Sequence, residues 1–224
     1  MQRDKRLSNT TERKDIVIVG AGGFGREVAW LIERINASDP AWNLMGFVDD
    51  DRKIEGKKLY GYPVLGNIEY LDNKEAWAVC AIGNPTTRQT VVKRIEKMKH
   101  IKFATLIDPS VLCANDITVG EGSIICAGTI ATVNVLIKKH VIINLDCTLG
   151  HDDVIDDYVT LYPSVNVSGN VKIGKGTEIG TGTHIIQGIS IGSNAIVGAG
   201  ACVIRDLPAR CTAVGVPTHF VDHK

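Results

Sequence analysis

Val171-Lys-Ile-Gly-Lys-Gly-Thr-Glu-Ile-Gly-Thr-Gly-Thr-His-Ile-Ile-Gln-Gly-Ile-Ser-Ile-Gly-Ser-Asn-Ala-Ile-Val-Gly-Ala-Gly200 sets an aliphatic residue at every sixth position: Ile173, Ile179, Ile185, Ile191 and Val197. Followed outward in both directions, the register holds from Val119 to Val203, and only Ala131 breaks the large-aliphatic rule. Glycine often comes next, as at Gly120, Gly150, Gly174, Gly180, Gly192 and Gly198. The position two before the aliphatic is mostly small or β-branched, as in Ser123, Thr129, Val141, Val165, Thr177, Thr183 and Ala195. A helix has no period of six, and a plain strand has a period of two. A short strand plus a corner does fit six residues. Three such units close a triangular coil, and coils stack at roughly 4.8 Å, the spacing of paired strands. The aliphatic side chain then points into the prism, and the glycine relieves the corner backbone. Each coil hides its apolar residues only against its neighbours, so many coils are required. The spacing predicts a parallel β-helix over residues 107–215, with 216–224 as a C-terminal tail.

The first half has a different organisation. Residues 15–19 are a short β-branched run that ends in glycines, and 25–35 shows helical spacing with Val28, Leu31, Ile32 and Ile35 on one face. Strands are expected at 44–48 and 76–82, and a helix at 86–98 with Val91, Val92, Ile95 and Met98 as its inner stripe. Alternating strands and helices imply a parallel sheet with right-handed crossovers. Residues 15–105 are therefore expected to form an α/β domain, a Rossmann-like half domain. Residues 1–14 are polar and charged without an apolar segment, and are expected to be a disordered tail rather than a signal peptide or anchor.

Twenty-five basic and twenty-five acidic side chains cancel, which gives no electrostatic reason to expect a nucleic-acid or membrane partner. No apolar run is long enough to span a bilayer. The six cysteines form no CxxC pair and are expected as buried, reduced thiols, which points to a cytoplasmic location.

Gly20-Ala-Gly22-Gly-Phe-Gly25 fits G-x-G-x-x-G between a strand and a helix. Such glycines let backbone approach a phosphate at a helix N-terminus. Asp49 stands at the end of the next strand, where an acid can bind a ribose. Taken alone the loop suggests a dinucleotide cofactor, as in an NAD-dependent oxidoreductase. Ninety residues leave room for about half a doubly wound fold, which suits a mononucleotide unit better. A tight turn without ligand, and Asp49 and Asp50 as solvated turn residues, are the competing readings.

The chain from Asp15 onward resembles the hexapeptide-repeat acyltransferases of the sialic-acid O-acetyltransferase and nucleotide-sugar N-acetyltransferase family. It is most similar to the sugar N-acetyltransferases of the bacillosamine and perosamine pathways. The motifs that carry the resemblance are Val-Gly-Ala-Gly-Gly-Phe-Gly (19–25), Phe-Val-Asp-Asp (47–50), Ala-Ile-Gly-Asn (81–84), Ile-Asp-Pro-Ser (107–110), Ile-Asn (143–144), Gly-His-Asp (150–152), Gly-Asn-Val-Lys-Ile-Gly (169–174) and Val-Gly-Val-Pro (214–217). The resemblance implies a left-handed β-helix, a homotrimer, acetyl-CoA as co-substrate, no metal, and a nucleotide sugar as acceptor.

By the same resemblance His151 removes the proton from the attacking amine, Asp152 orients or supports it, and Asn144 hydrogen-bonds near the reacting group. Gly169, Thr181, Ala199 and Pro217 fall where relatives lay coenzyme A along the coils, with the Gly169 N–H as oxyanion donor. Gly22, Gly23, Asp49, Asp50, Gly83 and Asn84 fall in the nucleotide-sugar region. The residues at 24, 218 and 219 (Phe24, Thr218 and His219) depart from the family pattern. On residue type alone, His151 also reads as a surface histidine, and Asn144, Gly169, Thr181 and Ala199 as ordinary coil residues. His140 follows Lys138-Lys139 and reads as a solvated face, and His184 precedes an inward Ile185. The spacing of these three histidines does not suit a zinc site. Sialic-acid O-acetylation and a non-catalytic trimeric β-helix binding module are the alternative functions.

Overall fold

The computed structural model describes residues 13–221. Its N-terminal domain has strands β1 (Lys14–Val19), β2 (Trp42–Val48), β3 (Lys58–Leu59), β4 (Tyr62–Gly66), β5 (Ala76–Cys80) and β6 (Ile101–Phe103), with helices α1 (Gly23–Ser38) and α2 (Pro85–Ile95). The sheet order is β3-β4-β2-β1-β5-β6, parallel throughout except for the β3–β4 hairpin. The two expected helices and the three expected strands are present with shifted ends; β3, β4 and β6 were not marked by periodicity. β1 explains its continuous apolar run by lying at the centre of the sheet. Ile16 and Ile18 pack on one face with Val28 and Ile32 of α1, and Val17 and Val19 pack on the other with Val92 and Ile95 of α2. Strands covered on both faces lose the polar alternation of half-exposed ones.

From Leu106 the chain winds into paired two-residue strands. Ile124–Ile125 pairs with Ile142–Ile143, which pairs with Thr160–Leu161, always eighteen residues apart, and three such parallel sheets form the sides of the prism. The sixfold aliphatic register is the interior: Ile137, Ile143, Ile155, Leu161 and Ile179 have no exposed surface. Burying each such side chain stabilises by about 1.5–3 kcal/mol. The positions two residues earlier are interior as well, from Ser123 and Thr129 through to Ala195 and Ala201.

The corner glycines do something other than expected. The left-handed conformation falls three residues after each aliphatic, from Gly122 through Asn134, Asp152 and Asn170 to Gly200, with φ between 53° and 79°. The glycines directly after the aliphatic have ordinary φ. They are required because a Cβ at Gly120, Gly150, Gly174, Gly180 or Gly192 would overlap the backbone of the next coil. Near the C-terminus, Thr212–Val214 joins one sheet in parallel, and His219–Phe220 then folds back antiparallel on it. Part of the expected C-terminal tail is thus a hairpin. The expected N-terminal tail, apart from its last two residues, lies outside the described residues.

The domains meet on one side of the prism. Ile124 and Ile142 point outward from the β-helix and are buried in the same cluster as α1. Arg88 of α2 is 1% exposed and fixed by carbonyls of both domains. Its Nε donates to His140 O, its Nη1 to Ile82 O and Gly83 O, and its Nη2 to Tyr158 O and Val159 O.

His140 corrects the solvated-face reading. It is 3% exposed, stacked on Tyr158 and edge-on to Phe103, because this corner is covered by the N-terminal domain. The expectation of six buried cysteines is also corrected. Cys113 is exposed because the first coil has no neighbour beneath it, Cys202 is only half-buried because its strand position faces outward, and Cys211 near the end of the stack is half-buried as well.

Candidate active site

His151 and Asp152 form a turn between two sides of the prism. Asp152 takes the left-handed position at φ 63°, a conformation its short polar side chain tolerates. That turn brings Asp152 Oδ2 to 2.8 Å from His151 Nδ1. Asn134, one coil earlier, donates its side-chain N–H to the other oxygen, Oδ1, at 3.2 Å. The imidazole contact and the Asn134 amide hold the Asp152 carboxyl below the usual carboxylate range. Asn134 was not singled out in the sequence; the eighteen-residue step back from Asp152 is the signal that finds it. With Nδ1 engaged by the carboxylate, the Nε2 edge of the ring is the one left to exchange a proton. The side chains of His151 and Asp152 are 51% and 52% exposed, so this edge is open to a ligand.

Gly169 lies under the ring. A Cβ there would overlap His151 Nε2, so glycine is the residue that leaves the imidazole its place. The Gly169 N–H has no acceptor among the described residues. Asn144 is not brought to His151. It occupies the next corner along, where its Oδ1 accepts from the Leu145 N–H and the residue is 8% exposed. Thr181 and Ala199 share that second corner, stacked one coil apart and exposed. Pro217 is exposed in the loop of the C-terminal hairpin. His184 is exposed on the outer face of its strand. A surface cavity of about 670 Å³ lies on the third corner around Asp156, Lys172 and Asp206, and includes none of these residues. Among the described residues no group of three or more His, Cys, Asp or Glu is placed to hold a metal ion.

The glycine loop borders a cavity of about 260 Å³ lined by Gly20, Asp49, Asp50, Ile68, Ile82 and Thr87. Asp49 is already engaged with backbone: Oδ2 accepts from the Ala21 N–H at 2.8 Å, and Oδ1 from the Asp51 N–H at 2.9 Å. Asp50 bridges Arg94 and the Ile68 N–H, and Arg94 holds its carboxyl below the usual range. Gly83 gives its carbonyl to Arg88 and to Thr160. Asn84 caps α2 through the Thr87 N–H and reaches Glu178 of the β-helix, which also accepts from the Tyr162 hydroxyl. Thus Asp49, Gly83 and Asn84 build the cleft's frame. Tyr162 and Glu178, through which the β-helix meets Asn84, were not read from the sequence.

Gly22 and Gly23 differ from Gly25 in a useful way. A Cβ on Gly25 would overlap the Gly20 carbonyl, whereas at Gly22 it meets nothing and at Gly23 only the tip of Arg26. Gly25→Ala is expected to cost about 1–3 kcal/mol in urea unfolding. Gly23→Ala should stay within about 0.5 kcal/mol, so its glycine is not demanded by the fold.

Comparison with known proteins bears on the family and the fold. Residues 15–95 match the PglD N-terminal domain family. UDP-N-acetylbacillosamine N-acetyltransferase of Bacillus subtilis (strain 168) is 36% identical over 117 residues; the match covers 51% of this chain and 52% of that protein, about half its length. The crystal structure of a mutant of perosamine N-acetyltransferase from Caulobacter crescentus, in complex with CoA and GDP-perosamine, superposes with a TM-score of 0.85 at 27% identity, over 93% of this chain and 97% of that one. WeeI from Acinetobacter baumannii AYE is 33% identical, with a TM-score of 0.83 over 92% of this chain and 99% of its own. A half Rossmann-like domain docked on a hexapeptide-repeat β-helix, with similarity running nearly end to end, places this chain among the hexapeptide-repeat acyltransferases of the sialic-acid O-acetyltransferase and nucleotide-sugar N-acetyltransferase family.

Proposed function

We propose that this protein is an acetyl-CoA-dependent N-acetyltransferase that acts on the amine of a nucleotide-linked amino sugar. The observation that carries the reading is the His151–Asp152 pair set over a side-chain-free Gly169. The relatives support it: one is an N-acetyltransferase of a UDP-linked sugar, and another is an N-acetyltransferase solved with CoA and GDP-perosamine. The acceptor amine attacks the thioester carbonyl and forms the C–N bond. His151 Nε2 takes the amine proton while Asp152 steadies the cation that results. The Gly169 N–H stabilises the oxyanion, the C–S bond breaks, and coenzyme A leaves as the thiol or thiolate. The cleft beside the glycine loop holds the nucleotide, with Gly22 and Gly23 at the phosphates and Asp49 and Asp50 keeping the loop in place.

The working unit in this reading is a homotrimer. Within one chain, His151 and Gly169 lie on one corner while Asn144, Thr181 and Ala199 lie on another, so a neighbouring copy is needed to bring both sets onto one coenzyme A. Exposed Leu112, Ile130, Val133 and Ile186 give the apolar surface for that packing. Six free thiols fit a reducing, cytoplasmic setting, and no helix among the described residues is long and apolar enough to cross a membrane.

The deciding experiment offers acetyl-CoA with UDP-, dTDP- and GDP-linked amino sugars and with free sialic acid, and follows thiol release. Turnover with a nucleotide amino sugar is expected, and Gly23→Ala should raise its KM by about tenfold while stability holds. Turnover with sialic acid alone would transfer the assignment to O-acetylation.

A further inference from the structure

Asp153 is the one carboxylate on the interior register of the coils, two residues before Ile155, and it is fully buried. The hydroxyl and thiol side chains at equivalent positions share one bond. Ser123 Oγ donates to Lys138 O at 2.7 Å, Thr129 Oγ1 to Asn144 O at 3.3 Å and Cys147 Sγ to Tyr162 O at 3.3 Å. Thr177 Oγ1 donates to Gly192 O at 2.8 Å and Thr183 Oγ1 to Gly198 O at 3.1 Å. In each case the acceptor is the carbonyl fifteen residues on. Ser123 and Thr177 also accept from the amide eighteen residues on.

Asp153 makes that second bond: Oδ1 accepts from the Val171 N–H at 2.8 Å. Oδ2 is buried without a partner. The carbonyl fifteen residues on belongs to Ser168, and it has no donor among the described residues. The repeat therefore aligns an unpaired carboxyl oxygen with an unpaired carbonyl oxygen, an arrangement that one proton satisfies. Ser168 O and Gly169 N–H are the two ends of a single peptide group.

We propose that Asp153 is a positioning residue kept as a neutral carboxylic acid, which donates to Ser168 O and so polarises the Gly169 N–H beside His151. Hydrogen bonds in series strengthen one another, so the acid makes this amide a better oxyanion donor. The inference rests on Gly169 serving as that donor. Burial pushes the Asp153 carboxyl up to about 7, against the Val171 and Gly150 amides and His151, which favour the anion, while Asp152 disfavours it. His151 and Asp152 are the charged groups that bear on it; Val135 and Val171, one coil to either side, are apolar.

The test compares the full-length wild type with Asp153→Asn and Asp153→Val. Infrared difference spectra at pH 6 should show a protonated carboxyl C=O stretch in the wild type that Asp153→Asn lacks. Asp153→Val, without a donor, should lose about tenfold in kcat with KM for acetyl-CoA within about twofold. Asp153→Asn, which accepts and donates as the acid does, should restore most of that loss and lack the fall in kcat expected of the wild type above pH 7. The stability sign follows from the raised value: the acid's contribution is full at low pH and is lost as pH rises through about 7. The thermal midpoint of Asp153→Asn should therefore gain on that of the wild type as pH rises. Absence of the carboxyl band at pH 6, or the same alkaline fall in Asp153→Asn, would overturn the proposal. The infrared and melting results need no acceptor, so they stand even if no acetyl transfer is found.

Discussion

His151→Ala is expected to lower kcat by about 10²–10⁴ while the thermal melt stays at the wild-type position. The stability half of this expectation follows from exposure: the ring is half in solvent, and the coil's interior contacts come from Leu149 and Asp153, not from residue 151. The activity half follows from the proton. An amine attacking a thioester must lose a proton as the tetrahedral intermediate forms or collapses, and in the proposed mechanism Nε2 is the acceptor, its partner nitrogen already tied to Asp152. Asp152→Asn keeps the shape but removes the negative charge, and should cost a smaller factor of about 10–10². The measurement is steady-state thiol release with the best acceptor, paired with a melt of each variant. Turnover of His151→Ala within a factor of two of wild type would remove His151 from the mechanism.

Arg88→Met should cost about 3–5 kcal/mol of unfolding free energy, the largest stability loss expected from a single change here. The guanidinium is nearly inaccessible and has no carboxylate partner among the described residues; its donors are spent on carbonyls and on Thr160 Oγ1. Burial lowers its pKa to about 10, so it stays charged at neutral pH. Methionine fills part of the volume but leaves the His140, Ile82 and Tyr158 carbonyls without donors, while Gly83 O keeps Thr160 Oγ1 and Val159 O keeps the Ile142 N–H. Since they belong to both domains, the loss should fall on docking, and urea unfolding should separate into two transitions. Arg94→Met is the control. Arg94 pairs with Asp50 and Glu69 at the surface, and its removal should stay within about 1 kcal/mol. A loss below 1 kcal/mol in Arg88→Met would show that the docking energy resides in the apolar contact of Ile124 and Ile142 with α1 instead.

The β-helix was legible because its interior obeys a strict period, and a strict period survives in sequence. Nothing local competes with the demand that Ile143 or Ile179 face inward. His140 was misread because its neighbours, Lys138 and Lys139, describe only the corner, whereas the cover over it comes from Phe103 in another domain. Arg88 had a signal that went unused: it precedes Val92 by four residues and Ile95 by seven, which sets it on the inner face of α2. The same holds for Asp153, whose place in the register matches Ser123 and Thr177. In the site, the His151–Asp152 pair was readable because adjacent residues in a fixed turn keep their relation. The separation of Asn144 from His151 was not, because seven residues along this coil means a different corner.

The hairpin at the end of the chain gives the stack a polarity. At that end His219–Phe220 runs opposite to the coils, so a further parallel turn finds no matching hydrogen-bond ladder. At the other end the first coil offers only strands two residues long, interrupted by corners, to any incoming backbone. Extended edges invite other chains to add on, and short broken ones do not. A fold made of stacked repeats is thereby kept finite: columns of this protein should not grow tip to tip.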